Sequence, residues 1–182
     1  DSSGTLGSIT PIGGDQRQVL YINAASITNG GAASNSAMQI LTGVTLQASS
    51  VYTLTVAVGN EVANPDTYKI SLYVGGTLIG GNYTGGTLLA STSGSSNVIT
   101  AHQLADITAT YTSPSSGLIS GNLAIMLTNT HASQSTVVGQ ETFDNVRLDV
   151  AAVPEPSSVA LLCIGGIGFL SWKARRRMRL NR

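Results

Sequence analysis

Cysteine, aromatic rings and charge are the scarce things in this sequence. A single cysteine, Cys163, excludes an internal disulfide and any zinc site built on several thiolates. Charged residues make up 10% of 182, less than half the usual share, which excludes a coiled coil or a long solvated helix. Only one Trp and two Phe are present, so a binding platform of large aromatics would have to be built from tyrosines. The two histidines, His102 and His131, stand alone without an H-x-x-x-H spacing, and serine is so abundant that any Ser/His/Asp grouping is uninformative. Glu61 and Asp66, which bracket Pro65, are a carboxylate pair only on paper, because solvated turn acids are the default. The chain also opens at Asp1 with neither Met nor a basic, apolar leader, so the expectation is a removed leader or a fragment.

The charges that exist are sorted. Residues 1–152 carry eight acids against three bases, a net charge of −5, while residues 153–182 carry six bases against Glu155, a net charge of +5. An acidic body repels phosphate, so no nucleic-acid partner is expected.

The body reads as short strands between turn clusters. Residues 19–22, 51–58, 68–74, 107–111, 123–127 and 143–150 alternate apolar and polar side chains, as strands do with one face on a core and the other in water. Six such segments with Gly, Asn, Ser and Pro between them predict an all-β sandwich over residues 18–150, with 1–17 a partial or irregular lead-in. The same alternation puts Leu54, Val56, Ile70, Leu72, Leu123, Ile125, Leu127, Val146 and Leu148 in one core. Residues 75–79 and 85–89 echo each other around Gly80-Gly81-Asn82 and predict one lengthened hairpin or loop, whereas 91–97 reads as a loop. In the last segment Asp144 falls in line with Val146, Leu148 and Val150, so an acid interrupts the apolar face; it needs Arg147, backbone donors or a metal as partner. Tyr73, Tyr83 and Tyr111 are the candidates for sugar contact, set against the commoner role of a half-buried packing ring.

The tail is a different polymer. Residues 151–158 form a Pro-rich linker in which Pro154 and Pro156 hold the chain extended. Residues 159–172 contain no charge and predict a single transmembrane helix. It would be about 21 Å long, short of a hydrocarbon core of about 30 Å. Residues 173–182 follow as a basic cytoplasmic tail, with Lys173, Arg175, Arg176, Arg177 and Arg179 able to snorkel and to fix orientation, and Trp172 at the interface.

The succession Val153-Pro154-Glu155-Pro156-Ser157, a short apolar run and an Arg cluster resembles the PEP-CTERM sorting signal, over the last sixth of the chain. That resemblance implies recognition by the membrane enzyme exosortase at Val153, Pro154, Glu155 and Pro156. Export across the inner membrane, transient anchoring, and transfer to the surface or exopolysaccharide matrix of Gram-negative bacteria would follow. The body is similar to PEP-CTERM proteins with a galactose-binding-like jelly roll, through Thr45-Leu46-Gln47, Tyr52-Thr53-Leu54-Thr55-Val56, Val58-Gly59-Asn60, residues 123–127 and Phe143-Asp144-Asn145-Val146-Arg147-Leu148. Proteins of that kind begin with a further strand that residues 1–17 do not supply, which again suggests truncation. The likeness also implies a structural Ca²⁺ near the last strand, with Asp144 and Glu141 as ligands, against the alternative of a hydrogen-bonded edge Asp with no metal or other cofactor. The resulting expectation is a non-enzymatic surface or matrix protein, structural or polysaccharide-binding. The alternative is a secreted polysaccharide-active hydrolase or its accessory module.

Overall fold

The structure, a computed structural model, describes residues 19–23, 35–60, 67–130 and 139–153. By contact the chain divides into two units, Asp1–Ala152 and Val153–Arg182. The first is built from β1 (Leu20–Asn23), β2 (Asn35–Thr45), β3 (Ser50–Gly59), β4 (Thr67–Ile79), β5 (Asn82–Ser95), β6 (Leu104–Thr112), β7 (Asn122–Asn129) and β8 (Gln140–Ala152), with one 3₁₀ turn at Ser96–Val98. Two antiparallel four-stranded sheets result, ordered β1-β8-β3-β6 and β2-β7-β4-β5, an order that matches a jelly roll.

Each sheet turns its apolar row toward the other. Tyr52, Leu54, Val56 and Val58 of β3 face Tyr68, Ile70, Leu72 and Val74 of β4 and Leu123, Ile125 and Leu127 of β7 across one buried core. The period of two read from these segments is therefore the period of burial. Val146 departs from it at 44% exposure, because β1 is short and pairs with β8 only at residues 140–143. Two strands lay outside the sequence reading. β2 buries none of its residues fully, so its alternation is faint. β5 runs through Ser95 across what reads as a Ser- and Gly-rich loop.

The echo at 75–79 and 85–89 is the β4–β5 hairpin, in which Gly75 faces Gly86. Its two-residue turn, Gly80-Gly81, has φ of +56° and +83°, the left-handed pair that a tight hairpin with right-twisted strands needs. Gly76 and Gly86 form a bare patch under Tyr83: a Cβ at Gly86 would lie 2.1 Å from its hydroxyl oxygen.

At the opposite end of β8, register shifts by one residue against β3, where Thr55 pairs with Arg147 but Ala57 with Asp144. Asn145 takes the extra position with φ of +46°. This bulge reverses which face the preceding residues use. Phe143 enters the core beside Val58, and Asp144 lies on the outer face beside Ala57, out of line with Leu148.

Candidate functional site

Six charged residues are described, and β8 carries four of them: Glu141, Asp144, Arg147 and Asp149. Alternation sends the first two to opposite faces. Glu141, fully buried, shares the inner face with Phe143, where Ser96 Oγ donates to its Oε1 at 2.7 Å. Ser96 comes from the 3₁₀ turn after β5, and Tyr68 of β4 lies close by, its phenol pushed up first by desolvation and then by the charge of Glu141. Asn129 closes this end of the sandwich, its Nδ2 donating to Ile22 O at 3.0 Å and Gly139 O at 3.1 Å.

Asp144 sits on the outer face of the first sheet. Its Oδ1 accepts from the N–H of Asn145 at 2.7 Å, so the bulge itself supplies the backbone donor. Its Oδ2 is buried without a hydrogen-bond partner, and so is Thr142 Oγ1, two residues away on the same face. Arg147 is committed elsewhere. Its Nη2 donates to Asp106 Oδ2 of β6 at 2.7 Å, reaching across β3 in a pair roughly half in solvent. Ala57, between Asp144 and Asp106 in register, is small enough to be crossed. A carboxylate with one oxygen held and the other without a protein partner can exchange a proton with a group that reaches that buried oxygen. An unpaired buried polar oxygen costs about 1–3 kcal/mol, so it calls for an explanation in function.

The pairing of Glu141 with Asp144 as Ca²⁺ ligands does not fit this geometry, since the two side chains leave β8 on opposite sides. Among the described residues no group of three or more His, Cys, Asp or Glu could hold a metal. The tyrosines also separate. Tyr73 and Tyr83 meet edge to face at 5.4 Å on the second sheet, and the Tyr83 hydroxyl donates to Gly75 O. Burial, then Tyr73, raises the Tyr83 phenol. Tyr111 belongs to the first sheet and leans on buried Tyr52 at 6.4 Å. His102 takes part through its backbone, donating N–H to Asn60 O at 3.0 Å. Val153 ends the described body, and Pro154, Glu155, Pro156, the apolar run 159–172 and the cations Lys173, Arg175, Arg176, Arg177 and Arg179 lie outside the described residues, as do His131, Glu61 and Asp66. Among the described residues no helix is long and apolar enough to cross a membrane. The sequence reading missed Thr142 and Ser96 as members of these sites, and nothing distinguishes either from its many Ser and Thr neighbours.

Comparison with known proteins assigns both parts of the chain. The model of the HpiC1-like family, described as HpiC1 cyclase, matches residues 5–149, and the PEP-CTERM protein-sorting motif matches residues 152–177. The second match marks an exported protein processed by exosortase. Among solved structures, a cyclase from Fischerella sp. TAU in complex with 4-(1H-indol-3-yl)butan-2-one is 26% identical, over 64% of this chain and 56% of that one, with a TM-score of 0.48. A Stig cyclase of the same source, in complex with (3Z)-3-(1-methyl-2-pyrrolidinylidene)-3H-indole, has the same identity and coverage and a TM-score of 0.49. A structure described as CBM4 is 16% identical over 72% of this chain and 94% of that one, with a TM-score of 0.39. The chain spans little more than half the length of these cyclases. No curated protein matches it. The expectation of a non-enzymatic body is overturned: the family that matches the body is one of cyclases, which are enzymes. The sequence reading failed there because it looked for histidine, serine, paired-carboxylate and metal constellations, and this sequence offers none that is specific.

Proposed function

The chain belongs to the HpiC1-like cyclase family, and on that premise we propose that it is an exported, exosortase-released protein whose sandwich catalyses a proton-assisted ring closure on a small unsaturated molecule. Asp144 is the acid–base group. The observation that carries this reading is its buried, unpartnered Oδ2 on the outer face of the first sheet. Ring closure of this kind is an isomerisation. The carboxylic acid gives a proton to an electron-rich carbon, the cation so formed closes a carbon–carbon bond, and the carboxylate takes a proton back, so nothing else is consumed. The Asp106–Arg147 pair keeps the guanidinium from neutralising Asp144 and borders the same face.

The first probe is 4-(1H-indol-3-yl)butan-2-one, the ligand of a family structure. In D₂O the full-length chain should speed deuterium entry at its indole carbons, and Asp144→Asn should lower that rate by about 10²–10⁴-fold while probe binding persists. An Asp144→Asn protein as active as the native one would refute the role of Asp144.

A second reading, glycan contact, is favoured by one observation: the half-buried Tyr73–Tyr83 pair lies on a hairpin whose residues 70–95 carry no charge. Tyr83→Ala should then abolish retention on exopolysaccharide without affecting deuterium entry.

A further inference from the structure

The second sheet has an end without formal charge. The two sheets share a direction, with β3 ending and β4 beginning at one end of the sandwich. The other end therefore gathers the start of β3, the end of β8, the start of β7 and the tip of the β4–β5 hairpin. Residues 42–51, 70–105 and 107–130 contain no acidic residue and no Lys or Arg. The described charges, Lys69, Asp106, Glu141, Asp144, Arg147 and Asp149, all lie elsewhere, Asp149 three pairs in from Ala152.

That end is apolar where it is exposed. Leu78 and Ile79 at the hairpin tip are 51% and 67% exposed, and Val44 and Ile119 join them at the same end. The tip also projects, because β4 loses β7 after Val74, and residues 76–79 have only β5 beside them. Four residues of strand reach about 13 Å beyond the sheet. This same end is where the chain leaves the body, at Ala152, toward the sorting motif. Six residues, 153–158, precede the apolar run and span at most about 20 Å.

We propose that this uncharged end, hairpin tip foremost, docks on the lipid surface of the membrane from which the chain is released. The inference rests on the sorting reading, since the tail is what holds the body at that surface. It adds that the body itself contacts lipid, which presents the linker to an enzyme of the membrane in one orientation. A surface without charge seats on a neutral bilayer by apolar burial alone, so salt leaves the contact unchanged.

The full-length chain, with Cys163→Ser and a single new cysteine, is labelled with nitrobenzoxadiazole and reconstituted in phosphatidylcholine vesicles. Lipid-borne doxyl quencher should quench the label several-fold more at Ile79→Cys and Val44→Cys than at Val98→Cys, which is 85% exposed at the opposite end. The contrast should survive 1 M salt. Equal quenching at the three sites in chains that float with the vesicles overturns the docking and leaves the sorting reading intact. Chains that fail to float overturn the tail as a membrane anchor, and the docking with it. Ready disulfide cross-linking between unlabelled Ile79→Cys chains assigns the face to a second copy and also overturns the proposal.

Discussion

Tyr68 shows how one side chain ties the stability of this sandwich to pH. Its phenol lies where burial and the charge of Glu141 both disfavour the anion, so its pKa stands above the ordinary tyrosine value of 10.0. Below pH 10 the group is protonated in the folded and the unfolded chain alike, and it places no strain on the fold. Above pH 10 the unfolded chain gives up the proton first, so stability falls as pH rises through the interval up to the folded pKa. Tyr68→Phe should flatten that alkaline loss, read as Tm from pH 9 to 11, and a slope equal to that of the native protein would count against the burial of Tyr68. Asn145 is the other residue on which much depends, because its φ of +46° makes the bulge that presents Asp144 outward. Asn145→Gly should be nearly neutral. Asn145→Val, β-branched in a left-handed conformation, should cost about 1–2 kcal/mol in urea unfolding and lower the Asp144-dependent exchange with it.

At the scale of the element, Gly76 and Gly86 of the β4–β5 hairpin do steric work. Gly86→Ala would set a methyl group against the ring of Tyr83 and should destabilise by about 1–3 kcal/mol. Tyr83→Ala should remove most of that penalty in a double-mutant cycle, and additive losses would mean the glycine matters for another reason. The hairpin was legible in the sequence because its glycines repeat. β3, β4 and β7 were legible because every second residue is apolar and the core is one-sided. β2 and the later half of β5 were not, since strands on the outside of a sheet with Ser, Thr and Gly in both rows carry no period to read. The last strand was half legible. A single inserted residue exchanged the faces of the residues before it, which left Phe143 unassigned to the core and hid the outward carboxylate of Asp144.

For the whole molecule, charge sorting is the feature that the sequence displayed most openly: an acidic body followed by an apolar run and six bases. Its physical reading as an export and release device agrees with the PEP-CTERM match over residues 152–177. The two matches together describe a body of the cyclase family that is exported. Replacing Pro154, Glu155 and Pro156 with alanine should leave membrane insertion intact and block release, because the motif residues of the sorting signal are then gone. Replacing the six bases with neutral residues should instead spoil retention and orientation, each cation being worth on the order of 1 kcal/mol near an anionic leaflet. The most direct test is mass spectrometry of the mature carboxy terminus in a host with and without exosortase. The account requires a chain that ends within residues 153–157 when the enzyme is present and at Arg182 when it is absent; a chain that keeps Arg182 in both hosts would contradict it.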